Sequence, residues 1–410
     1  MEKKNTRKYV ICISLFLIIT IALCVSLAFS SKIEARFGFD QRVGSINENA
    51  EFKIDFIDVG QGASCLISLP NGEHVLVDAG TNKSESYLVR YLKAKDIDTI
   101  DYFVLTHSDN DHTGGADKVY ENFEIKKTFR PFILAASDSN TTSDPLSHYT
   151  SLGESAVTTC TTTDWINCVE LMYSEKYTQD GSSVGSTVEV ISNQSLIMVS
   201  GVAIRFWWPV STGEEVSQDV TLGKNITSGY VTEKCSSYNN YSPIISVTYY
   251  DFDMVITGDA DSTVEKKVMA NLEASGDLSF IQNVDIYVAG HHGSNSSSCK
   301  EFLTLLDADF IVVQCGNSKS HPHEKFLARV EEVWSESSGG TLVRTDKNGD
   351  IVASCTYNQT TSKIDMGIAY SGDATKTSVK WWQVVVCGIS VCAVVFLVPL
   401  VPKKRRRRAR

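Results

Sequence analysis

The strongest constraint on the fold of this chain is the segment 106–115, THSDNDHTGG, which follows a predicted buried strand at 101–105. A chain that leaves a strand into a tight loop can direct several side chains at one point. Imidazole nitrogen and carboxylate oxygen suit Zn²⁺ or Mn²⁺ at about 2.0–2.2 Å. Four such groups exceed what one metal with an open coordination position needs. The segment therefore predicts two divalent metal ions, with His107, Asp109, Asp111 and His112 as ligands.

Three other polar clusters also follow predicted strands. They are Thr257-Gly-Asp259, His291-His292-Gly-Ser294 and Ser320-His321-Pro-His323. Open α/β sheets assemble their sites at the ends of strands, so these clusters are expected to complete the site of segment 106–115. Of the eight histidines in the chain, six belong to such loops. The other two, His74 and His148, are expected to be surface residues rather than ligands.

The order of predicted elements indicates an α/β layered domain. Strands at 52–58, 64–69 and 74–78, with a hairpin turn at Pro70-Asn71-Gly72, come first. A helix over 84–95 follows, and a further helix extends from Gly115 to about Tyr120. Further on, regularity at 202–208 and 244–257 precedes alternating helices and strands over 262–354. We expect one domain over 37–360, with a polar insertion at about 137–200, and a linker over 361–380.

Both ends of the chain have the composition of membrane segments. The apolar stretch 9–29 follows four cations, and the apolar stretch 384–401 lies between Trp381-Trp382 and a basic tail at 403–410. About 20 apolar residues span a bilayer, and basic flanks stay in the cytoplasm. We expect a helical anchor or a cleaved signal peptide over 1–36, for which Ala28-Phe-Ser30 is a passable site, and a transmembrane helix over 381–402. The body would then lie outside the cell.

Charge and cysteine content limit the partners and the cross-links. The net charge is −11, and removing the +4 of residues 1–36 and the +7 of residues 403–410 leaves −22 for the body. An acidic body disfavours long nucleic acid, whose binding rests mainly on Lys and Arg.

An odd number of cysteines, eleven, does not form a closed disulfide set. A Cys160–Cys168 bond is plausible outside the cell.

Seven separated motifs together resemble the C-terminal metallo-β-lactamase domain of the ComEC competence proteins over roughly residues 50–355. They are Asp58-Val-Gly-Gln-Gly62, Asp78-Ala-Gly80, segment 106–115, Ile256-Thr-Gly-Asp-Ala260, His291-His-Gly-Ser294, His321-Pro-His323 and Thr345-Asp-Lys-Asn-Gly349, the last resembling the family's final strand. The resemblance implies an αββα sandwich. Three features depart from the family or its superfamily: Ala63 replaces an acid, Asp109 replaces the second His of His-x-His, and a middle His ligand is missing. Water or Asn239/Asn240 could complete the metal nearer His107.

Resemblance and residue chemistry agree on hydrolysis by a dinuclear metal-activated water. His107 and Asp109 are expected to hold one metal. The second is assigned to Asp111, His112 and His291, with His292 as the alternative to His291. Asp259 would bridge the two. Asp111 could also steer the attacking hydroxide. His321 and His323 are candidates for contact with a substrate phosphate or for protonation of the leaving group. Asp58 and Asp78 are expected to orient the ligand loop or to be purely structural.

The expected function is extracytoplasmic hydrolysis of a phosphodiester or another phosphoester by a membrane-anchored enzyme. A DNA-degrading nuclease of the competence type is the first alternative. The second is a non-catalytic metal-containing ectodomain that binds a ligand or partner. The many-helix channel of the full competence proteins is absent from this sequence, so DNA transport does not follow from the domain. Nothing in the sequence points to a protein partner.

Overall fold

A computed structural model of the protein describes residues 43–44, 47, 49–136, 144, 146–147, 158–193, 195–207, 237–317, 321–337 and 339–371. The strands are β1 (Val43–Gly44), β2 (Phe52–Phe56), β3 (Cys65–Ser68), β4 (His74–Val77), β5 (Thr99–Val104), β6 (Glu124–Arg130), β7 (Ile133–Ala135), β8 (Thr158–Cys160), β9 (Lys176–Gln179), β10 (Ser182–Gly185), β11 (Thr187–Val190), β12 (Leu196–Val199), β13 (Val202–Trp207), β14 (Ile244–Tyr249), β15 (Phe252–Ile256), β16 (Ile286–Val288), β17 (Phe310–Val313), β18 (Thr341–Arg344), β19 (Ile351–Asn358) and β20 (Lys363–Tyr370). The helices are Glu85–Ala94, Asn110–Thr113, Ala116–Asn122, Thr163–Ser174, Ser262–Ser275, Lys300–Leu306, Glu324–Glu336 and Thr345–Asn348, with 3₁₀ turns at Tyr238–Tyr241, Leu278–Ile281 and Gly290–His292.

Local sequence explains where these elements begin and end. The β3–β4 hairpin turns at Gly72, whose φ of 87° lies in the left-handed region that glycine adopts without a steric penalty. Helix Ser262–Ser275 begins where the Asp261 carboxylate accepts hydrogen bonds from Thr263 N and Val264 N, and it ends at left-handed Gly276. The predicted hairpin at Pro70-Asn71-Gly72 is confirmed. A helix also begins the predicted alternation of helices and strands over 262–354.

Two sheets stack face to face between layers of helices. In the described residues the first sheet runs β1-β20-β19-β2-β3-β4-β5-β6-β11 and the second runs β12-β13-β14-β15-β16-β17-β18. Ile54 and Phe56 of the first sheet share a buried core with Val247 and Met254 of the second. Each such fully buried side chain contributes about 1.5–3 kcal/mol. The predicted αββα sandwich is therefore what the structure shows.

Helices cover the outer face of each sheet. Helices Glu85–Ala94, Ala116–Asn122 and Thr163–Ser174 pack on the first sheet, and helices Ser262–Ser275, Lys300–Leu306 and Glu324–Glu336 pack on the second. Strands β4 and β5 are parallel neighbours, as are β15, β16 and β17. Parallel neighbours end at the same edge of a sheet, so the loops that follow these strands meet there.

The predicted polar insertion at 137–200 is only partly outside the layers. Its helix Thr163–Ser174 buries Trp165 and Met172 against the first sheet, and its strand β11 pairs in parallel with β6. Strands β9 and β10 in this stretch are largely exposed and polar. Their composition obscures helix Thr163–Ser174 and strand β11, which belong to the core. The expected Cys160–Cys168 bond is wrong, because both cysteines are free and buried.

The linker expected over 361–380 is wrong over 363–370. This stretch forms β20, which pairs with β19 from Ile351↔Tyr370 to Asn358↔Lys363. Ile364, Met366, Ile368 and Tyr370 alternate with the smaller or polar residues Asp365, Gly367 and Ala369 and pack against the inter-sheet core. That period of two is the normal signature of a half-buried strand, and the polar residues on either side of it mask the signal.

Two smaller expectations also need correction. The apolar stretch 244–257 is two strands, β14 and β15, joined at Tyr250, whose φ is 55°. Residues Thr345–Asn348 form a short helix instead of a strand, and β19 follows it. The segments expected to enter the membrane, 1–36 and 381–402, lie outside the described residues, as do the basic tail and His148. None of the helices within the described residues is long and apolar enough to span a bilayer.

Candidate metal centre

Three imidazoles and one carboxylate converge where the strands of both sheets end. Nε2 of His112 lies 3.0 Å from Oδ1 of Asp259, and Nε2 of His107 lies 3.6 Å from Oδ2 of the same carboxylate. Nε2 of His292 lies 3.9 Å from Oδ1 of Asp259. His107 and His112 follow β5, Asp259 follows β15 and His292 follows β16. Each sheet therefore contributes part of one cluster.

The polar atoms at the middle of this cluster lack hydrogen-bond partners. Nε2 of His107, His112 and His292 and Oδ1 of Asp259 are all buried and make no hydrogen bond. Burying such a group without a partner costs about 1–3 kcal/mol. Two groups of residues could each hold a metal ion, because within each group the ligand atoms all lie within 4.8 Å of one another. The groups are His107–His112–Asp259 and Asp111–His112–His292. The nitrogen and oxygen donors, their burial and their unmet bonding capacity fit a divalent metal ion.

The second ring nitrogen of each of these histidines is held by a neighbour. Nδ1 of His112 lies 2.6 Å from Oδ2 of Asp78, and Nδ1 of His292 lies 2.8 Å from the carbonyl oxygen of Gln314. Nδ1 of His107 lies 3.1 Å from Oγ1 of Thr106 and 3.3 Å from Oγ of Ser242. A partner at Nδ1 leaves Nε2 for a metal and orients the ring, as is usual around protein metal sites.

Burial and mutual charge shift the ionisation of the cluster. Burial acts to lower the pKa of His112, but the carboxylates of Asp259 and Asp78 outweigh it and raise that pKa well above its usual value. Burial and the neighbouring His112 lower the pKa of His107 to about 3. The pKa of Asp259 lies well below its usual value, because the charges of His112, His292 and His107 overcome the effect of burial. The cluster thus keeps Asp259 ionised and His107 neutral, the forms that bind a cation.

Asp111 lies at the rim of the cluster. Its Oδ2 is 3.4 Å from Nε2 of His292, and its side chain is 21% exposed. Burial raises the pKa of Asp111, but the adjacent imidazoles of His292 and His112 lower it below its usual range. Asp109 is farther out: its side chain is 38% exposed and its Oδ2 lies 3.9 Å from His107. Among the predicted ligands of segment 106–115, Asp109 is the most peripheral.

The structure distinguishes the two adjacent histidines that the sequence left open. His292 is buried and groups with Asp111 and His112, whereas the side chain of His291 is 30% exposed. His291 stands at the mouth, 3.6 Å from Oδ2 of Asp259, with Asn239 Nδ2 3.4 Å from its Nδ1. Of the two alternatives for the group with Asp111 and His112, the structure brings His292 to it and leaves His291 outside. Asn239 itself lies beside Asp259, at 3.4 Å.

His321 and His323 extend the row of imidazoles away from the cluster. The ring of His321 stacks on that of His291 with centroids 5.7 Å apart, and His323 lies 4.3 Å from His321. Nδ1 of His323 accepts a hydrogen bond from the backbone of Asn295. This placement is at the mouth of the site. His74 is half-buried in β4 and belongs to neither ligand group, so its expected surface position is only partly correct.

Asp58 and Asp78 have different surroundings, although the same role was expected for both. Asp78 is buried, contacts His112 directly and accepts hydrogen bonds from N and Oγ1 of Thr106, both at 2.8 Å. Asp58 accepts a hydrogen bond from Gly60 N at 3.1 Å, and its own N donates to Asp350. Burial, together with the charges of Asp350 and Asp346, raises the pKa of Asp58 to about 6.

Close contacts between backbone segments hold the loops around the centre in place. Ala63 N donates to the Asp111 carbonyl at 3.0 Å, and a Cβ added at Gly62 would lie 2.5 Å from that oxygen. Gly62 is therefore needed for the loop to fit against Asp111. His291 and His292 both have positive φ, 50° and 55°. Left-handed backbone is strained for such residues and is concentrated at functional sites.

A polar groove opens beside Asp111 and encloses about 620 Å³. That volume is typical of small-molecule sites, which measure about 300–1,000 Å³. Its polar lining includes Asp58, Gln61, Asn82, Lys83, Asn110 and Asp111. Ser84, which precedes helix Glu85–Ala94, and Asp111 both line the groove, so a ligand bound in it can contact Asp111.

Comparison with known proteins agrees with this geometry. Residues 57–131, which include segment 106–115, match the family described as Metallo-beta-lactamase superfamily. ComE operon protein 3 of Bacillus subtilis is 23% identical over 327 residues, which cover 74% of this chain and 33% of that protein. The chain is a ComEC-like protein with a metallo-β-lactamase fold. Recombination protein 2 of Haemophilus influenzae is 23% identical over 290 residues, or 68% of this chain and 26% of that protein.

The ComEC-like chain thus spans about a third or less of the length of these curated relatives. Among solved structures, the metallo-beta-lactamase fold protein YhfI from Bacillus subtilis covers 71% of this chain and 95% of its own, with a TM-score of 0.37 and 11% identity. A likeness at that level says nothing about activity. The superfamily match over residues 57–131, which include segment 106–115, and the buried cluster together support a hydrolase of the metallo-β-lactamase superfamily.

Sequence reasoning missed three residues that position the ligands. Ser242 approaches Nδ1 of His107 and accepts a hydrogen bond from Asp259 N, so one hydroxyl links the loops of the two sheets. The Gln314 carbonyl holds His292, and Thr106 holds Asp78. Thr106 directly follows the predicted strand at 101–105, which was an available signal, and Gln314 directly follows β17. Ser242 lies in an ordinary-looking stretch with no such signal.

Proposed function

We propose that this chain hydrolyses phosphodiester or other phosphoester bonds at a centre for two divalent metal ions, zinc or manganese. The observation that carries the proposal is the convergence of four buried, unpartnered donor atoms, from His107, His112, His292 and Asp259, beside a polar groove. Closely spaced cations bound by such donors suit phosphoester substrates, because they can neutralise the oxygens of the phosphoryl group.

We assign His107, His112 and Asp259 to one ion and Asp111 and His292 to the other, with Asp259 between them. When bound, the ions supply an acidic water molecule and polarise the scissile phosphoester. Asp111, which lines the groove, would orient the attacking water. His291, His321 and His323 form a row beside the cluster, where an imidazole could donate to a phosphate oxygen or to the leaving group.

Charge favours a small substrate over a long nucleic acid. Among the described residues that line the groove there are one cation, Lys83, and two carboxylates, Asp58 and Asp111. A polyanion needs many Lys and Arg contacts for affinity at moderate salt, and the body of this chain is acidic. We therefore place a small or membrane-proximal phosphoester ahead of DNA.

Two alternatives keep specific support. A DNA-degrading nuclease is favoured by the names of the curated relatives, which refer to competence and recombination. A non-catalytic metal-containing ectodomain is motivated by Ala63, which stands where an acid is expected in the family. The presence of both His107 and Asp259 at the buried cluster argues against this second alternative.

We also propose that the domain is anchored in the cell membrane and faces the exterior, with both chain ends in the cytoplasm. If the first segment is a cleaved signal, the product is a secreted domain with a C-terminal anchor. The apolar stretches 9–29 and 384–401 and their basic flanks support this topology. Protease treatment of intact cells tests it: we expect the body to be digested, and its protection would contradict the external placement.

The enzymatic proposal is tested with the purified full chain. We expect about two Zn or Mn ions per chain by elemental mass spectrometry and hydrolysis of bis-p-nitrophenyl phosphate. Asp111→Asn and Asp259→Asn should each lower kcat by about 100-fold or more. Asp180→Asn is the matched control, because Asp180 is exposed in the β9–β10 turn.

Three outcomes separate the candidate functions. A protein without bound metal whose thermal stability is unchanged by chelator would contradict the metal centre itself. Metal content with no hydrolysis of any phosphoester would favour the binding ectodomain. Faster hydrolysis of single-stranded DNA than of small diesters at moderate salt would favour the nuclease. Salt screens the contacts between cationic side chains and phosphates, so only a protein with high affinity for the polymer would still prefer it.

A further inference from the structure

Strand β20 ends at the same edge of the first sheet that carries the metal centre. One row of directly paired residues crosses the sheet at that edge, and from β1 to β5 it consists of Val43, Tyr370, Ile351, Phe56, Cys65, Val77 and Val104. Val77 directly precedes Asp78, the residue that holds His112. Val104 comes three residues before His107. Tyr370, where β20 ends, lies four strand spacings from Val77, or about 19 Å.

The chain also enters the first sheet at this edge. Strand β1 is antiparallel to β20, and Val43, where β1 begins, pairs with Tyr370, where β20 ends. The connections from the body to the apolar stretches 9–29 and 384–401 therefore start from neighbouring points of the sheet. Both points belong to the edge at which the metal ligands follow their strands.

Three hydrogen bonds join the end of the described chain to the groove beside Asp111. Ser371 N donates to the Asp350 carbonyl at 2.9 Å, and Asp350 N donates to Oγ of Ser371 at 3.0 Å. Oδ1 of Asp350 accepts a hydrogen bond from Asp58 N at 2.8 Å, and Asp58 lines the groove. One residue, Asp350, thus separates the point where the chain leaves the body from the groove.

The connection to the second apolar stretch is short compared with the body. Nine residues, 372–380, separate Ser371 from Trp381-Trp382, and nine residues reach at most about 30–32 Å when fully extended. A compact body of about 330 residues has a radius of gyration of about 20 Å, and so a diameter of about 50 Å. In the proposed topology, a body with its metal centre turned away from the bilayer would need a connection along its whole length, which nine residues cannot supply.

A tether of this length also changes which substrates the centre meets. A phosphoester in the same bilayer is encountered as in an intramolecular reaction, at an effective concentration in the millimolar range for short flexible linkers. A soluble phosphoester gains nothing from the tether. The position of the chain ends therefore favours a substrate whose phosphate lies at the bilayer surface.

We propose that the metal centre faces the bilayer and that its substrate is a phosphoester carried by a membrane lipid. The inference rests on the proposed function and on the proposed anchoring, since it names the substrate class of the same centre. It selects a lipid-borne phosphoester over a freely diffusing one and over a nucleic acid.

The orientation is tested by energy transfer, which does not depend on catalysis. A fluorescent amino acid is introduced at position 347 or 361 of the full chain, in phosphatidylcholine vesicles with acceptor dyes on a few lipid head groups. Lys347 is exposed and shortly precedes β19 at the edge of the centre, whereas Thr361 is exposed in the β19–β20 turn at the opposite edge. The ends of β20 are about 24 Å apart, so we expect clearly stronger transfer from position 347. Equal transfer, or stronger transfer from position 361, would overturn the orientation.

The substrate class is tested in vesicles with two p-nitrophenyl phosphodiesters that release the same product. One carries dioleoylglycerol and lies in the bilayer, and the other, bis-p-nitrophenyl phosphate, is soluble. Glycine–serine segments lengthen the connections 30–42 and 372–380 about fourfold. Because effective concentration falls roughly as the −3/2 power of linker length, we expect the rate on the lipid to fall about eightfold and the rate on the soluble diester to change less than about twofold.

An equally long glycine–serine segment in the exposed β9–β10 turn, after Asp180, is the matched control and should change neither rate. Zwitterionic phosphatidylcholine avoids charge repulsion between the vesicle and the acidic body. Hydrolysis of the soluble diester alone, or an equal loss on both substrates after lengthening, would overturn the lipid substrate while the proposed reaction stands. Hydrolysis of neither compound contradicts the proposed reaction and the lipid substrate together, and energy transfer then still decides the orientation.

Discussion

Replacing Asp78 by asparagine is the sharpest test of how the ligand histidines are oriented. Oδ2 of Asp78 lies 2.6 Å from Nδ1 of His112, and the carboxylate also accepts two hydrogen bonds from Thr106. Asp78 has a φ of 58°, a conformation that asparagine tolerates as well as aspartate does. The substitution therefore changes the hydrogen bonding at a buried position without adding backbone strain.

The expected loss follows from the tautomer of His112. With a metal bound, Nδ1 of His112 would donate its hydrogen bond to the Asp78 carboxylate, and Nε2 would present its lone pair to the metal. In Asp78→Asn the new amide oxygen can still accept from Thr106 N, which places the amide NH₂ group against His112 Nδ1. His112 would then have to carry its proton on Nε2, the atom that points into the cluster. Loss of such an orienting partner lowers metal affinity by about 10–100-fold, or about 1.4–2.7 kcal/mol.

The assay is a competition titration of zinc between the protein and a chromophoric chelator of known affinity. Asp58→Asn is the matched control: it makes the same chemical change at a residue that caps Gly60 and is not among the candidate ligand groups. We expect less than about a twofold change in zinc affinity for this control. Urea unfolding of both variants in excess chelator measures the stability of the metal-free fold separately. Equal zinc affinities for Asp78→Asn and the native chain would refute the orientation argument.

Two further predictions concern stability. Gly62→Ala should lower the free energy of unfolding by about 1–3 kcal/mol in a urea titration, because its Cβ would lie 2.5 Å from the Asp111 carbonyl; an unchanged midpoint would contradict that contact. The folded-state pKa of Asp58, about 6, lies above the ordinary aspartate value of 3.8, so folding favours the protonated carboxyl. The free energy of unfolding therefore falls as the pH rises from 3.8 through about 6. Asp58→Asn should thus stabilise the protein by about 1–3 kcal/mol at about pH 7.5 and little at about pH 4, and an equal effect at both would contradict this.

The motifs predicted the centre because each directly follows a strand. His107, Asp259 and His292 come shortly after an apolar β stretch, and parallel strands end at one edge. The position of a residue after a strand places its Cα at the right edge. It does not determine side-chain direction, which depends on the backbone of the loop. That is why the sequence could not choose between His291 and His292: two successive left-handed residues turn one imidazole inward and the other to the mouth.

Elements whose stabilisation comes from distant partners were predicted least well. Strand β20 is flanked by polar residues and is held by pairing with β19 and by the inter-sheet core, and Thr163–Ser174 is a core helix inside a polar excursion. Their local composition is that of a linker or a surface loop. Tertiary contacts override local preference in such segments, because burial of a few apolar side chains outweighs propensity differences of a few tenths of a kcal/mol per residue.

The chemistry of this protein can be read from its sequence alone: the nitrogen and oxygen donors, their positions after strands and the αββα layers that follow from hairpins and strand–helix alternation. Which donors meet depends on the tertiary fold. Segment 106–115 supplies His107 and His112, but Asp259 and His292 arrive from the second sheet, far later in the chain, and Ser242 links the two loops. Chemical type is a local property of a residue, whereas convergence depends on how two sheets stack, which only long-range packing sets.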